Sequence, residues 1–99
     1  MKNSAVTYGS KMLKAMGNEK RLNILYLLLD NELKVGELER LVGLSQSALS
    51  QHLAILRAEN IVKTRRSAQT IYYSLHNNKV ISILRLMDSM FNQHQKLAD

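Results

Sequence analysis

The stretch LSQSALSQHLAILRAENIV at residues 44–62 decides the predicted fold. Ser45 is a residue type that begins helices, and three leucines then recur on one face of the helix that would follow. They are Leu49, Leu53 and Leu56. Apolar residues also recur at helical spacing over 35–42, and Gly43 breaks that pattern. Two short helices joined by a tight, glycine-containing turn predict a helix-turn-helix.

The chain downstream of this helix pair has the composition of strands. Residues 61–66 and 70–75 are rich in β-branched and aromatic side chains, and apolar and polar positions alternate over 70–75. The same alternation predicts that one of the neighbours Tyr72 and Tyr73 is buried and the other exposed. The polar stretch 66–69 between the two runs predicts the tip of a β-hairpin. A helix-turn-helix followed by a hairpin is a winged helix.

Both ends of the chain are predicted to be helices, and the last one is predicted to meet a second subunit. The first, at about 4–16, ends at Gly17, a residue type suited to the left-handed position after a helix, and Asn18 is the candidate N-cap of the next helix. The last, at about 78–95, is apolar on more than one side and needs more cover than a small lone chain supplies. We therefore predict that a second subunit covers the last helix. The predicted interface residues of that helix are Ile83, Leu84, Met87, Met90 and Phe91.

Length and composition suit one domain of this kind. The chain has 99 residues, no proline and no low-complexity tract, so a single domain over residues 1–99 is predicted. The expected fold is mainly α with a small β-hairpin (α+β), with the reading helix at about 45–58 and the wing at about 61–75. The lack of cysteine excludes disulfides and thiolate metal sites. No apolar signal core or run of membrane-spanning length is present, so a cytoplasmic protein with no membrane partner is expected.

Positive charge is concentrated where a winged helix would meet DNA. The chain carries 14 lysines and arginines against 8 aspartates and glutamates, a formal net charge of +6, which favours polyanions. Within residues 45–75, Glu59 is the single acid; the basic residues there are Arg57, Lys63, Arg65 and Arg66. The outward polar residues of the predicted reading helix are uncharged donors and acceptors that suit base edges, with an ordinary solvated helix face as the alternative interpretation. They are Gln46, Ser47, Ser50 and Gln51.

Residues 35–75 resemble the ArsR/SmtB family of bacterial winged-helix repressors, and within it the HlyU and NolR type. The resemblance is carried by the sequence at 44–62 and by TRRSAQTIYYSL at 64–75, and KAMGNEKRLNILYLLLDNEL at 14–33 is similar to the family's second helix. It implies a homodimer built from the first and last helices on a palindromic DNA operator, with the helix from Ser45 in the major groove. The interface residues of the first helix would then be Met12, Leu13 and Met16. Together, pattern and resemblance give these candidate DNA-binding residues: Ser45, Gln46, Ser47, Ser50, Gln51, His52, Arg57, Arg65, Arg66 and Gln69.

The sequence departs from the resemblance at the positions where relatives bind metals. Many relatives use cysteines on the helix corresponding to 35–42, which has none here. Others use aspartate and histidine ligands on the last helix; here Asp88 and His94 stand six residues apart, and Met90 occupies the expected histidine position. The three histidines of the chain are scattered and lack carboxylates at ligand spacing, which favours isolated polar side chains over the alternative of a metal site. We expect no metal and no cofactor.

The positions that sense sulfur or oxidants in other relatives also differ. Those relatives use one cysteine in the second helix and one near the end, and the corresponding residues here are Tyr26 and Asn92. The inducing signal, if there is one, is therefore left open. The methionines of the first and last helices suit either an adaptable pocket or, as we prefer, the core of the dimer.

The predicted function is sequence-specific regulation of transcription by occupying operator DNA. Repression would follow from blocking polymerase, and activation from displacing another repressor. The alternatives are a winged helix that serves as a protein-interaction module, a non-specific architectural DNA binder, or an accessory subunit of an enzyme. The chain has neither a nucleophile–base constellation nor a glycine loop that cradles phosphate, so we do not expect an enzyme. A bacterial, nucleoid-associated location fits this function.

Overall fold

The computed structural model describes the backbone of residues 3–98 and the side chains of residues 3–92. This part of the chain forms five helices and three short strands, which confirms the predicted winged helix-turn-helix, mainly α with a small sheet. In chain order they are α1 (Ser4–Met16), α2 (Glu19–Leu28), β1 (Leu33–Lys34), α3 (Val35–Val42), α4 (Gln46–Ala58), β2 (Val62–Ser67), β3 (Thr70–Leu75) and α5 (Asn78–Ala98).

The turn between α3 and α4 forms as the sequence predicts. Gly43 follows α3 with φ of 74°, a left-handed conformation that a residue without a Cβ adopts at little cost, and its N–H donates to the Glu39 carbonyl at 3.1 Å. The Ser45 hydroxyl oxygen accepts from the Ala48 N–H at 3.2 Å, which confirms Ser45 as the N-cap of α4. The first helix of the motif and the reading helix are thus joined by three residues.

The junction between α1 and α2 is only partly as predicted. Asn18 is the N-cap of α2, since its side-chain oxygen accepts from the Lys20 and Arg21 N–H groups at 2.9 and 3.1 Å. The prediction that Gly17 adopts the left-handed conformation is wrong, because Gly17 has a φ of −76° and a ψ of 57°. The Asn18 N–H donates to the Met16 carbonyl at 2.8 Å, so Gly17 is the central residue of an inverse γ-turn. A Cβ there would lie 3.0 Å from the Leu13 carbonyl oxygen, which explains the glycine.

The sheet has one strand more than predicted. Its order is β1-β3-β2, all antiparallel, and β1 pairs Leu33 with Tyr73 and Lys34 with Tyr72. Two residues are too few to show alternation, so the sequence gives no strand signal there. Tyr73 is buried, as one of the two tyrosines was predicted to be, but Tyr72 is half-buried and not exposed as predicted. The hairpin tip is narrower than 66–69, because β2 and β3 pair through Ser67 and Thr70 and leave a two-residue loop.

The core is apolar throughout the described residues, with no buried polar side chain. Two residues predicted at the dimer interface belong to it: Met16 is 3% exposed and Leu84 is fully buried, so their own chain already covers them. Other apolar residues of α1 and α5 remain on the surface. The large ones are Val6, Tyr8, Leu13, Leu86, Met90 and Phe91. Across the described residues, no helix combines the length and apolar content needed to cross a bilayer.

Candidate nucleic-acid interface

The buried face of α4 determines which of its side chains can meet a ligand. Leu49, Leu53 and Leu56 are at most 2% exposed and attach the helix to the core. Because successive helical residues are rotated by about 100°, the opposite strip consists of Ser47, Gln51 and Ala54. All three are exposed. This strip is the part of the helix that projects furthest from the body of the protein.

One flank of α4 is turned towards the sheet and carries Gln46, Ser50 and Arg57. The Arg57 Nη1 atom donates to the Tyr73 hydroxyl of β3 at 2.9 Å. This contact orients the predicted DNA-binding residue Arg57 and holds the end of α4 against the strand. Gln46 and Ser50 are exposed and make no side-chain hydrogen bond to any described residue. Their donors and acceptors are therefore free for a ligand.

The other flank carries Ala48, His52 and Ile55 and is turned towards α2. The His52 ring is half-buried, and its Nδ1 lies 3.1 Å from the Arg21 Nη1. Burial lowers the pKa of His52, and the positive charges of Arg21 and Lys20 lower it further. Like Arg57, His52 is thus a predicted reading-helix residue whose side chain already has a close partner across the fold.

The two arginines predicted for the wing lie on opposite faces of the sheet. Arg65 pairs in register with Tyr72, whereas Arg66 pairs with Ile71 on the face that also carries Tyr73. The Arg65 guanidinium donates to both carboxylate oxygens of Glu32, at 2.7 and 3.1 Å, and lies 4.4 Å from the Tyr72 ring centroid. Its hydrogen bond lowers the pKa of the Glu32 carboxyl.

The structure therefore divides the predicted DNA-binding set. Four predicted residues of α4 lie free on the surface: Gln46, Ser47, Ser50 and Gln51. Arg66 and the loop residue Gln69 also lie free on the surface. Ser45 is exposed, but its hydroxyl oxygen caps α4. Arg57, His52 and Arg65 each have a partner that sequence reasoning missed.

These missed partners are Tyr73, Arg21 and Glu32. They lie 16, 31 and 33 residues from the side chains they contact, so no local pattern could reveal them. The short strand β1 brings the chain around Glu32 beside the wing.

Tyr26 and Asn92, which the resemblance assigns to the sensing-cysteine positions of some relatives, each donate a hydrogen bond here. The Tyr26 hydroxyl of α2 donates to the Leu84 carbonyl of α5 at 2.8 Å, and the Asn92 amide donates to the Asp88 carboxylate. Burial raises the pKa of Tyr26, and the Asp88 charge raises it further. The described residues gather no group of three His, Asp or Glu side chains that could hold a metal ion.

Comparison with known proteins identifies the family. The sequence model of one protein family, described as bacterial regulatory protein, arsR family, matches residues 18–64. The transcriptional activator HlyU of Vibrio cholerae is 54% identical over 83% of this chain and 76% of its own length. The nodulation protein NolR of Rhizobium meliloti is 56% identical over 80% of this chain and 65% of its own length. The solved structure of HlyU from Vibrio cholerae superposes with a TM-score of 0.86 at 48% identity, covering 91% of this chain and 98% of that one. The chain therefore belongs to the arsR family of bacterial regulatory proteins and is a DNA-binding transcriptional regulator rather than an enzyme.

Proposed function

We propose that the protein binds a palindromic operator as a homodimer, with α4 of each protomer in the major groove and the β2–β3 hairpin as a wing. The observation that carries this proposal is the outer surface of α4. Its Gln46, Ser47, Ser50 and Gln51 side chains are exposed, uncharged and free of hydrogen-bond partners among the described residues. Glutamine can pair bidentately with adenine, and serine accepts several base partners.

The apolar surfaces of α1 and α5 support the homodimer. Leu13 is 55% exposed on α1, and Met90 and Phe91 are 56% and 72% exposed on α5. Large exposed apolar side chains on two helices of a small domain favour burial against a second copy. A two-fold dimer would place two copies of α4 about 34–36 Å apart, on half-sites one helical turn apart.

The regulatory outcome follows from occupancy of the operator. A dimer bound across a promoter blocks polymerase and represses, and a dimer that displaces another repressor activates. The name of HlyU, a transcriptional activator, makes the second outcome worth testing beside the first. Either outcome takes place on the chromosome, so we place the protein in the bacterial cytoplasm, associated with the nucleoid.

The first test is binding to the DNA upstream of the protein's own gene and to a scrambled duplex of equal length, at about 150 mM salt. We expect a preference of at least ~10³-fold for the promoter, with two chains bound per site. Equal, salt-sensitive binding to both duplexes would indicate a non-specific architectural binder. No binding to either would favour a protein-interaction module.

A matched pair of variants tests the dimer. Leu13→Asp, on the proposed interface, should give monomers in sedimentation at concentrations where the wild type is dimeric. Leu41→Asp is the control, because Leu41 is 54% exposed but lies on α3. A dimer that survives Leu13→Asp, or that is lost equally in both variants, would contradict the proposed interface.

A further inference from the structure

The Arg21 side chain joins three helices at the edge of the proposed DNA surface. Its Nε donates to the Ala15 carbonyl at 2.6 Å, its Nη2 to the Lys14 carbonyl at 3.5 Å, and its Nη1 lies 3.1 Å from the His52 Nδ1. Arg21 belongs to α2, the two carbonyls to α1 and His52 to α4. A single guanidinium thus connects a helix of the proposed dimer interface with the reading helix.

The last turn of α1 needs this side chain. The last four carbonyls of a helix have no partner within it. In α1, the Leu13 carbonyl accepts from the Gly17 N–H and the Met16 carbonyl from the Asn18 N–H, both at 2.8 Å. The two carbonyls between them, those of Lys14 and Ala15, accept hydrogen bonds from Arg21. Arg21 therefore completes the end of α1 and holds it at a set distance from α4.

The same contact determines the protonation of His52. A guanidinium only donates hydrogen bonds and does not lose its proton in proteins, so the His52 Nδ1 must be the acceptor. The ring is then neutral, with its proton on Nε2. Burial and the neighbouring positive charges also favour the neutral ring, as the lowered pKa of His52 indicates. Nε2–H is a donor without a partner among the described residues.

We propose that Arg21 is a positioning residue for DNA recognition, which holds His52 as an Nε2–H donor to a DNA phosphate and links the reading helix to α1. This inference rests on the proposed function. The strip through Ser47 and Gln51 faces the base edges when α4 lies in the groove, so the flank that carries His52 faces one phosphate wall. Leu13 of the proposed dimer interface directly precedes Lys14 and Ala15, whose carbonyls accept from Arg21. Arg21 therefore also sets the orientation of α4 relative to the second subunit.

Two substitutions of His52 separate its two ring nitrogens. In His52→Gln the side-chain amide can supply a donor near the Nε2 position, whereas His52→Asn keeps an acceptor near Nδ1 and lacks the outer donor. We expect His52→Asn to lose about tenfold in operator affinity, and His52→Gln to recover most of that loss. Equal affinities of the wild type and His52→Asn would overturn the role of the Nε2 donor.

Arg21→Lys tests positioning, with Lys20→Met as the control that removes a neighbouring charge. A lysine keeps the charge but lacks the planar fork, so it no longer holds α4 in the orientation that matches the two half-sites. We expect about a tenfold loss of operator affinity and a smaller loss on random DNA, where that orientation matters less. Lys20→Met should weaken both duplexes equally. Combining Arg21→Lys with His52→Asn should cost little more than either alone. Additive losses, or unchanged operator affinity in Arg21→Lys, would contradict the proposal.

The nitrogen chemical shifts of the His52 ring provide a readout that does not depend on DNA. We expect the neutral Nε2–H tautomer in the free wild-type protein and a mixture of tautomers in Arg21→Lys. A wild-type ring with its proton on Nδ1 would overturn the inference even if operator binding is confirmed. A wild type that binds operator and scrambled DNA equally would instead overturn the proposed function, whatever the tautomer.

Discussion

The reading helix and the wing present different chemistry to DNA. The exposed polar side chains in the first half of α4 are uncharged, and Arg57 near its end is bound to Tyr73, whereas the hairpin carries Lys63, Arg65 and Arg66. Neutral hydrogen-bonding groups discriminate between bases, and positive charges bind every phosphate alike. The comparison indicates that the helix supplies most of the sequence preference and the wing most of the sequence-independent affinity.

The two regions also differ in how firmly they are held. The helix is attached on both flanks by an arginine and a ring: Arg57 with Tyr73 on one side, Arg21 with His52 on the other. Among the described residues, the wing beyond its paired strands is braced by the contact of Arg65 with Glu32. A base-reading surface depends on geometry, whereas a charged wing tolerates movement because phosphate attraction is less directional.

Replacing one glutamine in each region should test most clearly whether α4 reads bases and the wing does not. Gln46→Ala on α4 should weaken the preferred operator by about 1–3 kcal/mol and leave random DNA unaffected, because it removes a base contact. Gln69→Ala in the wing loop is the matched comparison and should weaken binding to both duplexes to the same extent, because a wing residue contacts phosphates and not bases. Dissociation constants for the two duplexes at fixed salt check this. Equal losses on both duplexes for Gln46→Ala would show that it does not read bases.

Arg66→Ala should act in the opposite manner. Arg66 lies on the sheet face that carries Tyr73, and its side chain makes no hydrogen bond to a described residue. Its loss should weaken all DNA sequences to a similar extent and reduce the slope of log K against log salt by about one. Titrations at several salt concentrations measure that slope. A selective loss on the operator would instead assign base or minor-groove reading to this arginine.

Arg65 should matter less for DNA than Arg66, because the Glu32 carboxylate already balances its charge. We expect Arg65→Ala to change the salt slope by clearly less than one, and Glu32→Gln to steepen the slope by freeing the guanidinium. Both effects are measured on random DNA, where base reading does not contribute. A slope for Arg65→Ala as low as that for Arg66→Ala would show that Arg65 leaves Glu32 and neutralises a phosphate.

The sequence predicted what depends on local chemistry. The Ser45 cap, the Gly43 turn and the leucines of α4 each require only residue types at helical spacing, and the structure confirms all of them. The charged wing was predicted in the same way, from a run of strand-forming residues. Such signals lie within a few residues of one another, so periodicity and capping preferences are enough to find them.

Contacts between distant segments were not accessible to the same reasoning. Both Arg65 and Arg66 fit a phosphate-binding role in the sequence, and only the register of β2 with β3 separates them. The partner of Arg65 depends on β1, which is two residues long. Gly17 shows the same limit, because a glycine after a helix suits several turns and the neighbouring hydrogen bonds select one.

The dependence of stability on pH tests the surroundings of His52, on the flank of α4 that is turned towards α2. Because the pKa of His52 is lowered in the folded chain, folding favours its neutral form. That contribution to stability is present above the unfolded value of about 6.5 and is lost as pH falls through the lower folded value. Arg21 and Lys20 are the charged groups that face the ring. Denaturant unfolding from pH 7.5 to 5 should therefore show a steeper loss for the wild type than for His52→Gln, and parallel curves would contradict it.

The smallest effect concerns backbone strain, and one substitution should have opposite signs in the two regions. Ala68 in the wing loop has φ of 55°, where a Cβ is unfavourable, so Ala68→Gly should stabilise the fold by about 0.5 kcal/mol. Ala54 is exposed within α4, where glycine costs about 1 kcal/mol relative to alanine. Unfolding free energies of the two variants test both signs. Destabilisation by both would mean that the left-handed conformation at Ala68 carries no strain that a glycine relieves.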